Sequence, residues 1–310
     1  MRTQTLVPTA LCVLATTVVG HAGQAVSLRA VRQTPSTFSQ TENGDWRTTI
    51  PATDSVPTRE FVYVPPTKIE PMVSVRLRFN AQAGPKVHYA YQIANGVGAR
   101  QQLARLLIGT RQVVALDGLP DGWRHHEPQR PGAVSLAGPL VGDTPSGLAP
   151  GATPLAIELS GETLPGVVTI RAAGNTSGAV KVPPGLSEQQ RAELLELSSQ
   201  ATVDVPAIGP AIPGGVGEPE LGFDVLLSRV GLHYAGELTK SRHPQAEQVV
   251  AILERMNVEG AAVGDTAVQD GLAEIQRLAA SPVGDPWHAQ ISSALEVCAR
   301  ALASGLFPVR

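Results

Sequence analysis

Two stretches decide the fold: VSVRLRF at residues 73–79 and VHYAYQIA at residues 87–94. In the first, Val73, Val75, Leu77 and Phe79 alternate with Ser74, Arg76 and Arg78. In the second, Val87, Tyr89, Tyr91 and Ile93 alternate with His88, Ala90, Gln92 and Ala94. Successive side chains of a strand point to opposite faces, so a period of two sends one set into a core and the other into water. Ala83-Gly84-Pro85 lies between them and reads as a turn.

The same reading extends outward. Short strands are expected at 103–108, 112–116, 133–137, 155–160 and 167–172. Asn95-Gly96, Asp117-Gly118, Pro131-Gly132 and Pro150-Gly151 punctuate them. No stretch between strands is long enough and helical enough for a parallel crossover. Residues 60–175 are therefore expected to form an antiparallel, immunoglobulin-like β-sandwich.

Beyond a linker at 176–185 the pattern changes to helical. Ser187 and Gln190 match a capping box, opening a helix that runs to about residue 201. Residues 202–222 contain Pro206, Pro210, Pro213 and Pro219 and read as an exposed loop, because proline donates to neither helix nor ladder. Four more helices are expected at 224–238, 244–256, 266–280 and 286–304. Thr266 and Gln269 suggest a second capping box, and Asp285 with Pro286 a capped start. The whole is α+β: a sandwich followed by a C-terminal α-helical domain at 186–310, with its helices in a bundle.

The N-terminal segment reads as a secretory signal. Arg2 precedes the apolar run LCVLATTVVG at 11–20, and small residues at Gly20, Ala22, Gly23 and Ala25 offer cleavage sites. The run is shorter than the roughly 17–25 residues of a membrane-spanning helix. Residues 1–25 are expected to be removed, which places the chain outside the cytoplasm, secreted or periplasmic, with no membrane insertion afterwards. Residues 26–59, rich in Thr, Ser, Gln and Pro, read as a flexible arm. Of the two cysteines, Cys12 would leave with the signal. Cys298 would remain, a small hydrophobe on an apolar helix stripe.

Composition excludes several functions. The formal net charge is −3, with 24 Lys and Arg against 27 Asp and Glu. No basic pole exists to neutralise phosphates, which argues against a nucleic-acid partner. Aromatics are 4%, and Trp46, Trp123 and Trp287 are scattered, so no planar carbohydrate platform is evident. Gly215-Val216-Gly217 follows no strand and has Glu220 where a dinucleotide fingerprint needs its third glycine. No cofactor is expected.

One polar cluster stands out, Asp121-Gly122-Trp123-Arg124-His125-His126-Glu127. Imidazole and carboxylate are zinc-type ligands, so His125, His126 and Glu127 form a candidate metal site. Against this, adjacent residues on extended backbone face opposite ways, and the same residues also fit a solvated loop anchored by Trp123. His88 reads as a rim histidine, Tyr89 and Tyr91 as core. His233 and His243 read as cations at helix ends. Asn175-Thr176-Ser177 matches a glycosylation sequon.

The order Tyr89-x-Tyr91-x-Ile93-x-Asn95, Asp121-Gly122-Trp123, Leu148-Ala149-Pro150-Gly151 and Leu164-Pro165-Gly166-Val167-Val168 resembles secreted bacterial proteins of unknown function with an immunoglobulin-like sandwich. The resemblance covers residues 70–175. It implies an exported β-sandwich and carries no catalytic residue. Together these readings lead to the expectation of an exported, non-enzymatic binding or structural protein with a protein partner, acting through sheet edges, the 202–222 loop and the arm. A secreted metal-dependent hydrolase using His125, His126 and Glu127 is the alternative.

Overall fold

A computed structural model describes residues 36–52, 57–111, 114–126, 132–141, 144–175, 182–199, 202–214 and 222–307. The signal segment, the sequon's Thr176 and Ser177, and Glu127 lie outside them. The described residues begin with β1 (Ser39–Gln40), β2 (Trp46–Ile50), β3 (Arg59–Tyr63), β4 (Pro71–Phe79) and β5 (Val87–Asn95). They continue with β6 (Leu103–Gly109), β7 (Ala115–Gly118), β8 (Arg124–His126), β9 (Ala133–Ala137), β10 (Leu140–Val141), β11 (Thr144–Pro145), β12 (Leu155–Gly161) and β13 (Thr163–Gly174). Helix α1 (Glu188–Ser199) precedes β14 (Val203–Pro213). Helices α2 (Phe223–Lys240), α3 (Ala246–Met256), α4 (Thr266–Ala279) and α5 (Pro286–Ala303) follow it.

The strands form a three-stranded sheet β1-β2-β3, a β10-β11 hairpin, a four-stranded sheet β4-β5-β12-β7 and a five-stranded sheet β14-β13-β6-β9-β8. Every pairing is antiparallel. The fold is α+β, as the alternation and the later helical periods require.

The alternating residues sit where their period predicts. On the four-stranded sheet, Val75 faces Tyr91 and Tyr91 faces Ile157, while Leu77, Tyr89 and Leu159 make the next row. Tyr89, Tyr91, Ile93, Ile157 and Leu159 are fully buried. On the five-stranded sheet, Val134, Ile108 and Ile170 form a row, and Leu136, Leu106 and Ala172 another. Both sheets feed one hydrophobic core, which continues without a break into Leu226, Leu227, Val230 and Tyr234 of α2 and Ile291, Leu295, Cys298 and Leu302 of α5. Fully burying each large apolar side chain stabilises by about 1.5–3 kcal/mol.

That continuity corrects the expected division at 176–185. Residues 37–310 cluster as one compact unit, and the sheets and helices share a core. The physical reason is β14. The stretch read as an exposed loop at 202–222 is, over Val203–Pro213, the edge strand of the five-stranded sheet, paired along β13 from Thr163 to Ala172. Pro206 and Pro210 are four residues apart, so both turn their missing N–H to the same side. Ala211 is bulged out between the pairs Leu164↔Ile212 and Pro165↔Pro210, which brings Pro213 into the same phase. Proline is tolerated in an edge strand when its nitrogen points away from the partner. Residues 215–221 lie outside the described residues.

The expected arm is also corrected. Within 26–59, Ser39–Gln40 and Trp46–Ile50 form β1 and β2, and Arg59 opens β3. Phe38, Ile50 and Tyr63 pack with Leu186 and Leu194 into a second core, against which Trp46 lies half-buried. Arg100 pairs with the buried Asp45 carboxylate at the β1–β2 turn and ties this small sheet to the body.

Helix ends follow local chemistry. Ser187 and Gln190 make the expected reciprocal pair, at 2.9 and 3.2 Å. Asp285 caps α5 through the N–H groups of Trp287 and His288. The expected pair Thr266–Gln269 does not form: Asp265 is the N-cap residue, and Gln269 donates instead to the Val263 carbonyl.

Candidate functional site

The outer face of the four-stranded sheet presents the polar half of the alternation. Arg76 and Arg78 on β4, His88 on β5, Glu158 on β12 and Asp117 on β7 are all exposed. The register sets them out in rows. Arg76 faces Ala90, and Ala90 faces Glu158. Arg78 faces His88. Ala90 is the smallest side chain of its row, so the surface dips between the arginine bank and the glutamate. The dip is a cavity of about 270 Å³ lined by Arg76, Arg78, Asn80, His88, Ala90 and Glu158.

Its charges are free to act. Among the described residues, neither arginine nor Glu158 has an ion-pair partner. His88 Nδ1 stands 3.9 Å from Asp117 Oδ2, beyond hydrogen-bond range, so no carboxylate fixes its ring as a positioned base would be fixed. Two guanidiniums side by side offer donor forks to a carboxylate or phosphate. The arrangement can hold an anion.

The sequence-derived candidates fall elsewhere. His125 and His126 sit on β8, opposite Leu136 and Ser135, on the other sheet. Both are exposed, and as neighbours in a strand they point to opposite faces. Among the described residues, no three His, Cys, Asp or Glu side chains are placed to hold a metal ion. Trp123 packs half-buried against the core, as an anchor should. Tyr89 and Tyr91 are core residues, not a platform.

Two histidines differ from expectation. His233 lies in the middle of α2 rather than at its end, and its Nε2 accepts from the Val167 amide at 2.9 Å. His243 follows the end of α2, but it is buried and bonded to Ser292 Oγ at 2.9 Å. Desolvation lowers the pKa of both, with Glu237 opposing and Arg111 assisting at His233, and His288 assisting at His243. Burial therefore favours neutral rings over the expected helix-end cations. Cys298 is buried as expected, its thiol pushed up to about 12 by desolvation. It donates to the Pro165 carbonyl at 3.1 Å.

Arg76, Arg78 and His88 were visible in the alternation as an outward set. Glu158 has no local link to them in the sequence, because only the register of β12 on β5 brings it beside residues some seventy to eighty positions away. No helix among the described residues is long and apolar enough to cross a membrane. A scan of protein-family models finds none that matches, and a search of curated proteins finds no match.

Proposed function

We propose that this is an exported, non-enzymatic binding protein, acting at or beyond the cell envelope, that seats an anionic group of its partner or ligand on Arg76 and Arg78. The two larger sheets are read as an immunoglobulin-like sandwich and α2 to α5 as a helical bundle, of which α2 and α5 pack on β13 and β14 and α5 also on β4. The signal-like residues 1–25 support export. The observation that carries the binding reading is the pair of exposed arginines with no ion-pair partner among the described residues, set in a row-aligned dip on the four-stranded sheet. Rigid strands hold such side chains more closely than loops do.

Calorimetric titration with acetate and inorganic phosphate tests the site. Binding heat is expected in the natural chain and is lost in the double variant Arg76→Gln, Arg78→Gln, whose melting temperature should be unchanged. Equal heats in the two proteins would remove the site. Fractionation of cells making the full chain, against cells making a chain that begins at residue 26, tests export.

A further inference from the structure

The dip has two banks of opposite sign. Arg76 and Arg78 form one on β4, and Glu158 forms the other on β12, with Asp117 of β7 beside it. One strand, β5, lies between them and contributes only Ala90 to the Arg76–Glu158 row. Neighbouring strands are about 4.8 Å apart, so the two banks rise from backbones roughly 10 Å apart. Across the short Ala90 floor the charges do not meet, which leaves both available.

Resting on the reading of Arg76 and Arg78 as an anion seat, we propose that the ligand is a small zwitterion of dipeptide size. Its carboxylate lies on Arg76 and Arg78 and its ammonium on Glu158. Three observations lead there. Arg76 and Arg78 are opposite in charge to Glu158, and none of the three has an ion-pair partner among the described residues, so a purely anionic ligand would leave Glu158 facing like charge. A chain advances about 3.3–3.6 Å per residue, which sets the two ends of an extended dipeptide about 7 Å apart, short enough to lie within the roughly 10 Å between the two backbones with side chains reaching to it from each. The cavity of about 270 Å³ is small beside the roughly 300–1,000 Å³ of sites for drug-sized molecules, which suits a short molecule. His88, opposite Arg78, lines the same floor and offers a ring nitrogen to the ligand's amide.

The test is calorimetry on the full chain with three probes: alanyl-alanine, its N-acetyl form and its C-terminal amide. The free dipeptide is expected to bind about tenfold tighter than the N-acetyl form, the worth of one charge-assisted hydrogen bond. In the Glu158→Gln variant that gap should close, through loss of affinity for the free dipeptide alone. Equal binding of free and N-acetyl dipeptide, with both lost in Arg76→Gln, Arg78→Gln, would overturn the zwitterion and leave the anion seat standing. Binding of no probe, or binding indifferent to the arginines, would overturn both.

Discussion

The backbone N–H of Val167 donates to Nε2 of His233, 2.9 Å away on helix α2. The bond replaces a missing strand. On the side of β13 away from β14, the ladder with β6 begins only at Ile170. From Thr163 to Val167 that edge is closed by side chains. Tyr89 donates to the Thr163 carbonyl at 2.7 Å, and Tyr234 and Cys298 donate to the Pro165 carbonyl at 2.7 and 3.1 Å. A backbone group withheld from water needs a partner, and here helices and the opposite sheet supply it.

Acid should loosen this lock. Accepting at Nε2 places the proton of the neutral ring on Nδ1, and a second proton would abolish the acceptor. Burial lowers the His233 pKa below its ordinary 6.5, and burial with the neighbouring His288 does the same at His243. With the folded value below the unfolded one, the unfolded chain binds the extra proton first. Stability is therefore full above the ordinary histidine value and is lost as pH falls through it toward the folded value. Urea denaturation from pH 8 to pH 5 should show falling stability. In His233→Gln, whose amide oxygen can still accept, part of that slope should disappear.

Gly166 makes room for the same contact. A Cβ there would lie 2.4 Å from His233 Nε2 and 2.9 Å from the Ala211 Cβ. Gly166→Ala should cost about 1–3 kcal/mol, the range for overpacking a filled site. It should also flatten the pH slope by pushing the imidazole off the Val167 amide. An alanine variant as stable as the natural chain would show that the helix moves aside freely.

What the sequence disclosed and withheld has a common physical basis. Alternation at 73–79 and 87–94 named both faces of β4 and β5, because period two is a local property. Capping by Ser187 with Gln190 and by Asp285 was legible for the same reason. β14 was hidden because a strand with Pro206 and Pro210 is permitted only at an edge, and edge position is a property of the finished sheet. The site was half visible: Arg76, Arg78 and His88 could be placed on one face, but Glu158 joins them only through pairing over a long sequence separation.

Cys298 should be inert until the protein unfolds. The thiolate is the reactive form, and burial pushes this thiol up to about 12. In a Cys12→Ala chain, iodoacetamide at pH 8 should label nothing in the native state and one thiol in strong denaturant. Native-state labelling at the denatured rate would mean that α5 opens from β13 readily.

Gln190 holds two structures at once, and a pair of substitutions can separate them. Its Oε1 accepts from the Ser187 N–H at 2.9 Å, which caps α1. Its Nε2 donates to Thr48 Oγ1 at 2.7 Å and to the Thr49 carbonyl at 3.0 Å, which fastens β2 to that helix. Gln190→Ala loses both and should cost about 1–3 kcal/mol, since the buried Thr48 hydroxyl loses its donor along with the cap. Gln190→Glu keeps the cap, because glutamate serves equally in a capping box, but sets a carboxylate against the Thr49 carbonyl. Helix content by circular dichroism should then hold, while Trp46 of β2 shifts its fluorescence as the small sheet loosens. If the glutamate variant left Trp46 unmoved, the second core of Phe38, Ile50, Tyr63, Leu186 and Leu194 would be holding β2 without help from Gln190.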